Sequence, residues 1–264
     1  MNKPTVQFTV FTKPWRYPLA ELAEHVKGLG FDGVELPVRT GFQVEPEKVA
    51  KGLPEAARLL ADQGLRIGSV AGPIDEPTIA ACGEAGVKLI RICCHIPQGM
   101  TYRAAEADWQ RQFDEVIGAL DAHGVTIGVQ NHCGRQVSGA MGLRSLIDGY
   151  DPRHVAAVLD FGHCGLAGEP VDLAIDAVED RMALVNFKNA FWRRTNGPEA
   201  TQAAWSNYWT TGGHGMADWP AAVGELKKRG YAGDVCLTAE YSDRDNVDAY
   251  TGEDLAYLKA LWEV

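Results

Sequence analysis

The chain has no run of apolar residues approaching the ~20 that a membrane span requires, and it opens on polar Met1-Asn2-Lys3-Pro4 rather than on an apolar leader. It has no block of basic residues. Lys and Arg total 25 against 35 Asp and Glu, a formal net charge of -10. A phosphate backbone meets repulsion over most of such a surface, so nucleic acid is disfavoured as a partner, and local spots such as Arg193 and Arg194 suit one small anion at most. The chain also lacks any CxxC spacing. Its six cysteines, Cys82, Cys93, Cys94, Cys133, Cys164 and Cys236, lie mostly inside or at the ends of apolar runs, where they read as small buried hydrophobes. The expectation from these absences is a cytoplasmic protein without a membrane or nucleic-acid partner.

What is present is ordinary globular composition, 46% hydrophobic and 23% charged, over 264 residues. Short β-rich apolar runs alternate with longer helical patterns about eight times, the pattern of a parallel sheet with crossover helices. The expected strands are 6–12, 33–37, 66–72, 89–96, 126–132, 155–161, 182–188 and 234–241. Eight strands favour closure, and ~250 residues is the usual size of a closed (β/α)8 barrel. The expectation is therefore an α/β fold, a single TIM barrel spanning 1–264 as one domain.

Helices are expected over 19–29 and 46–63, the latter with Leu53, Ala56, Ala57, Leu59 and Leu60 near helical spacing. Glycine followed by an apolar residue marks helix ends at Gly28-Leu29-Gly30-Phe31, Gly64-Leu65, Gly86-Val87, Gly124-Val125 and Gly230-Tyr231. Asp218 reads as an N-cap with Pro220 at the first helical position, which makes Trp219 structural. Two connections depart from the short pattern, 133–141 and the aromatic-rich 189–217, both expected as loops on the face where barrel active sites lie.

Barrel strands are dominated by Val, Ile and Leu, so polar residues at their C-terminal ends are informative. They are Glu35, Arg91, His95, Gln130, Asn131, His132, Asp160, His163, Asn186, Lys188, Asn189 and Glu240. Alternation places Gln130 with His132, and Asn186 with Lys188, on common faces. The result is a polar ring at the barrel mouth.

The segments FDGVEL (31–36), QNH (130–132), LDFGH (159–163), NFKN (186–189), GHGMADW (213–219) and TAEY (238–241) resemble the xylose-isomerase-like barrels of the sugar phosphate isomerase/epimerase group. The resemblance implies a divalent metal, Mn²⁺ or Mg²⁺, and no nucleotide cofactor. The ligands would be the residues ending strands five to eight, here Gln130, Asp160, Asn186 and Glu240. Two of these are amides where the family has Glu and His, and an amide oxygen brings no charge to a hard cation. The family's proton abstraction beside a carbonyl uses the glutamates of strands five and eight. Gln130 cannot take a proton, which leaves a one-base mechanism on Glu240.

His132 and His163 are the further candidate proton carriers, His163 through the family's DxxH pattern. Lys188 either stabilises negative charge on a substrate oxygen or pairs with Glu240, Asp160 or Glu35. Glu35 either faces substrate or is the buried partner of Arg91 or Lys188. Trp15, His95, Asn131, Trp192 and Trp209 are candidate substrate contacts beside Glu35, because aromatic faces pack on the C–H faces of sugars. The aromatics of 189–217 equally suit loop packing or a subunit interface in a homodimer or homotetramer.

Three functions fit these residues. The first is an isomerase or epimerase acting on a sugar, keto-sugar or cyclic polyol, a small-molecule carbohydrate. The second is a lyase or dehydratase on a related polyhydroxy ketone, which begins with the same proton abstraction. The third is a catalytically degraded barrel that still binds sugar. A metal-dependent endonuclease on the related barrel would want more His and carboxylate ligands and a positive surface.

Overall fold

The computed structural model describes residues 6–263, so the Met1–Pro4 stretch lies outside it. Eight parallel strands close into a barrel: β1 (Gln7–Phe11), β2 (Gly33–Pro37), β3 (Arg66–Ala71), β4 (Leu89–Cys93), β5 (Thr126–Gln130), β6 (Val155–Asp160), β7 (Met182–Phe187) and β10 (Asp234–Leu237), with β1 pairing both β2 and β10. All eight expected strands form. Seven end early, β4, β5 and β10 by two to four residues and the others by one, because the chain turns where extension was expected. His95 bridges Gln136 and Ile96 N donates to Arg135 O, so the segments after β4 and β5 pair with each other as a short flap.

Helices cover the outside: α1 (Leu19–Leu29), α2 (Val49–Asp62), α3 (Glu76–Glu84), α4 (Tyr102–His123), α5 (Ala140–Ile147), α6 (Phe161–Ala167), α7 (Val171–Val178), α8 (Trp219–Lys228) and α9 (Val247–Glu263). The glycine junctions behave as expected: α1 ends on Gly30 at φ 91°, and α4 on Gly124 at φ 60°, a region side chains with a Cβ avoid. Asp218 caps α8 by accepting from Ala221 N at 2.9 Å, and the buried Trp219 stacks on Tyr257.

Residues 189–217 are not a plain loop. Alternation in NAFWRR and WSNYWT produces an antiparallel hairpin, β8 (Asn189–Arg194) and β9 (Trp205–Thr210), standing on the mouth after β7. In the 133–141 connection, helix α5 (Ala140–Ile147) already begins at its end.

The barrel interior holds a small apolar cluster of Phe11, Ala71, Leu89, Val158, Leu184 and Cys236, separate from the larger core between sheet and helices. Strand alternation then fixes what lies one step nearer the mouth. Arg91 follows Leu89, Asp160 follows Val158, and Asn186 then Lys188 follow Leu184 on the same inward face. The polar residues therefore sit on an apolar plug.

Candidate active site

From the β2 side the inward groups form a chain of charge-assisted contacts. Arg91 Nε donates to Glu35 Oε1 at 2.6 Å, and its other nitrogen donates to Gln130 Oε1 at 2.9 Å. Gln130 Nε2 donates to Asp160 Oδ2 at 2.6 Å. A guanidinium only donates, so the amide oxygen must face Arg91 and the NH₂ must face Asp160. Asp160 also accepts from its own helix, His163 N–H at 3.1 Å, as the N-cap of α6. Burial pushes the Asp160 carboxyl above its ordinary value, and Lys188 opposes that shift.

Lys188 continues the chain on the β7 side. Its Nζ donates to Glu240 Oε2 at 2.9 Å and lies 3.5 Å from Asp160 Oδ2. Burial alone would lower this ammonium's pKa, but the Asp160 and Glu240 carboxylates raise it above the lysine range. Glu240 is also held by Lys13, from the segment after β1. Burial works against the Glu240 carboxylate, yet Lys188 and Lys13 together hold it well below the usual range. The Glu240 side chain keeps 22% of its surface exposed, against 4% for Lys188. The indole of Trp209, on β9, lies 4.5 Å from Lys188 Nζ. A cleft of about 510 Å³ lined by Lys13, Trp209, Glu240, Tyr241 and Arg244 opens onto Glu240, and the buried Lys188 meets it only through its contact with that carboxylate. The larger cavity, about 910 Å³, lies on the far side of the mouth beside Arg39, Arg91 and Cys93; the smaller one meets the exchangeable charges and is the better reaction cleft.

Glu240 reaches this place because β10 stops at Leu237. Ala239, at φ 49°, turns the chain in the left-handed region, which for a non-glycine residue is a local strain of ~1–2 kcal/mol.

Beyond Asp160, His163 is fully buried and packs against His132 with ring centroids 4.0 Å apart and planes tilted by 41°, and it meets Trp209 in a T-shaped contact at 5.4 Å. Burial foremost, then Lys188, drives the pKa of both imidazoles down, so both are neutral at pH 7. His163 Nδ1 accepts from Cys133 N–H, while Nε2 has no protein partner. The ligating atoms of His132, Cys133 and His163 fall within 4.8 Å of one another, a cluster with the chemistry to take a metal ion.

A family model described as xylose isomerase-like TIM barrel matches residues 23–261. The chain belongs to that family. An L-ribulose 3-epimerase structure superposes with a TM-score of 0.75 at 16% identity, covering 98% of this chain and 95% of that one. A 3-keto-D-glucoside 4-epimerase from E. coli gives 0.70 at 16%, covering 97% and 100%. Such identities establish a common fold. The inosose dehydratase of Bacillus velezensis is 27% identical over 123 residues, 45% of this chain, and the match spans only 41% of that enzyme.

Within this xylose isomerase-like barrel the four positions expected to hold a metal do converge, but their donor set does not fit a divalent ion. Gln130 turns its NH₂ toward Asp160, and an ammonium already stands between the two carboxylates. Asn186 is paired in register with Asp160 and Cys236, is fully buried, and leaves both amide atoms without protein partners.

Of the other expected site residues, the structure gathers His132, His163, Lys188 and Trp209 at the mouth, with Glu35 beneath as the partner of Arg91. Four are elsewhere. Trp15 is buried against His25 with its indole N–H on Asp248 at 2.7 Å, because the segment after β1 turns outward toward α1 and α9. The Asn131 side chain points away from the pocket, accepting from Asp160 N at 2.7 Å and donating to Cys164 Sγ, as alternation after Gln130 requires. His95 is exposed on the flap. Trp192 spends its indole N–H on Leu166 O and is 44% exposed. Lys13 and Cys133 were missed: neither lies in a strand, and only barrel closure brings Lys13 to Glu240.

Proposed function

We propose that the chain is an isomerase or epimerase of a sugar, keto-sugar or cyclic polyol, acting by removal of a proton beside a carbonyl. The observation that carries this reading is a buried ammonium shared between two carboxylates, one of them open to a cleft with an aromatic wall. An ammonium has three N–H donors. One is donated to Glu240, with Asp160 held as an ion pair at 3.5 Å, so a further N–H serves a substrate carbonyl oxygen and stabilises the negative charge that grows there.

Glu240 is ionised at neutral pH, the state a base requires, but its two lysines make it a weak one. As charge develops on the substrate oxygen, that oxygen competes for Lys188, and the weakened Lys188–Glu240 contact raises the basicity of Glu240 as the proton arrives. Neutral His132 and His163 hold hydroxyl groups, and Glu240, protonated by the abstraction, returns that proton to the neighbouring carbon. Trp209 supplies an apolar wall for sugar C–H groups. We read the protein as cytoplasmic, with a small-molecule carbohydrate as substrate; Trp192 and Trp205, exposed on the hairpin, are where a homodimer or homotetramer would associate.

The partial match to an inosose dehydratase favours one second reading, a lyase on a polyhydroxy ketone. Proton NMR of keto-sugar and inosose panels in D₂O separates the two. Solvent deuterium gained without loss of water supports the isomerase, and loss of water supports the lyase. No exchange with any member of the panels would sink both.

A further inference from the structure

The mouth is electrically complete without an added ion. Three carboxylates, Glu35, Asp160 and Glu240, face three cations, Arg91, Lys188 and Lys13. Arg39 stands near the same ring, its pKa lowered by burial first and by Arg91 second. A divalent cation entering between Asp160 and Glu240 would meet Lys188 Nζ at 2.9–3.5 Å from the oxygens it needs and would add two uncompensated charges to a buried space, where repulsion is poorly screened.

We propose that Lys188 takes the place of the divalent cation in this barrel: its buried Nζ, set between Asp160 and Glu240, is the site's permanent electrophile, and the barrel binds its substrate oxygen without a metal. The two amides follow from this. At 130 a carboxylate would face Asp160 at 2.6 Å as a like charge, whereas glutamine joins the guanidinium of Arg91 to the carboxylate of Asp160 with one donor and one acceptor. At 186 no ligand is needed, and the buried, unpartnered amide of Asn186 is free to give one donor and one acceptor to a hydroxyl beside the carbonyl held by Lys188.

The proposal rests on the isomerase reading, but its test reads metal binding, so the two fail separately. Purified full-length protein is dialysed against EDTA and titrated with Mn²⁺, free ion being followed by electron paramagnetic resonance. Wild type is expected to take up no Mn²⁺ at micromolar concentrations that depends on Asp160; any ion held by His132, Cys133 and His163 is lost with His132→Asn and unchanged by Asp160→Asn. The combined exchange Gln130→Glu, Asn186→His and Lys188→Gln is expected to create a site for one Mn²⁺ per chain. Should that variant not fold, Lys188→Gln alone is expected to bind Mn²⁺ at least about tenfold more tightly than wild type, because the competing charge is gone. Stoichiometric Mn²⁺ on wild type that disappears with Asp160→Asn overturns the proposal, and so does a Lys188→Gln affinity no better than wild type.

Discussion

The two sides of the barrel mouth use the same kinds of side chain to opposite ends. On the β2–β4–β5 side, Glu35 and Arg91 are almost wholly withdrawn from solvent, and Arg91 is satisfied by Glu35 and Gln130. On the β7–β10 side, Lys188 divides itself between two carboxylates, and Glu240 keeps part of its surface in the cleft. A buried ion pair with both partners engaged is held in place and acts as framework. A shared cation with a partly open partner can exchange one contact for another, which is what a reacting oxygen demands. The lesson is that exchangeability, rather than charge, separates the reacting side from its scaffold.

The same chemical change on the two sides should therefore have different consequences. Glu240→Gln removes the base and keeps one acceptor oxygen, enough for either Lys13 or Lys188, and kcat is expected to fall by about 10²–10⁴-fold, the usual worth of a positioned general base. Single-turnover kinetics on the substrate found by NMR checks this; a loss confined to KM would move Glu240 from chemistry to binding. Arg91→Leu attacks the scaffold side. It strands Glu35 in the barrel interior, and urea unfolding is expected to show a loss of about 3–5 kcal/mol. Adding Glu35→Met should recover most of it, since removing both charges leaves no uncompensated ion. A loss below about 1 kcal/mol for Arg91→Leu alone would mean that the pair is not the framework described.

Much of the scaffold side was legible in the chain itself. Alternating strands, glycine caps and polar residues ending apolar runs located the barrel and its mouth, because each signal depends on periodicity or local backbone conformation, but left Glu35 open between a substrate contact and a partner of Arg91 or Lys188. The reacting side was legible only in composition. Lys188 was expected to pair with carboxylates, but which ones, and how closely, depends on closure of β10 onto β7. Lys13 lies 227 residues from Glu240, and no local pattern connects them. The aromatics of 189–217 fitted a loop, a sugar wall and an interface equally, and their period-two alternation is read as a hairpin only once both halves are seen to match. Trp15 and Trp192 failed as substrate contacts because an aromatic near a strand end can turn to either side of the sheet.

Acidity offers a further way to separate the regions, because the imidazoles belong to the exchangeable side. Burial lowers the folded-state pKa of His163 from 6.5, so the unfolded chain binds the proton more readily. The stabilisation from keeping it neutral is complete above about pH 6.5 and is lost as pH falls, with a slope of about 1.4 kcal/mol per pH unit. Asp254, raised to about 6 by burial, works in the opposite sense. Its charged form is the costly one, so its contribution declines as pH rises from about 4 to 6. The comparison of wild type with His163→Asn cancels Asp254, and the difference in unfolding free energy is expected to shrink as pH falls below about 6.5. A difference that stays constant with pH would show that His163 takes up its proton in the folded state.

The smallest effect expected is at Ala239, where the backbone rather than a charge holds the reacting side open. Its φ of 49° turns the strand end so that Glu240 meets Lys188 and Lys13. Ala239→Gly relieves the left-handed strain, worth ~1 kcal/mol or slightly more, against an unfolded-state entropy term of about 0.4–1 kcal/mol in the other direction. Stability should therefore change by less than about 1 kcal/mol. Activity should change more. Glycine lets the Glu240 backbone visit other conformations, and a base displaced by a fraction of an ångström loses its aim at the proton. The expected signature is a several-fold fall in kcat with KM and the melting temperature nearly unaltered. The reverse outcome, a lower melting temperature with unchanged kcat, would assign the turn to the scaffold and shift the boundary between the two sides to Leu237.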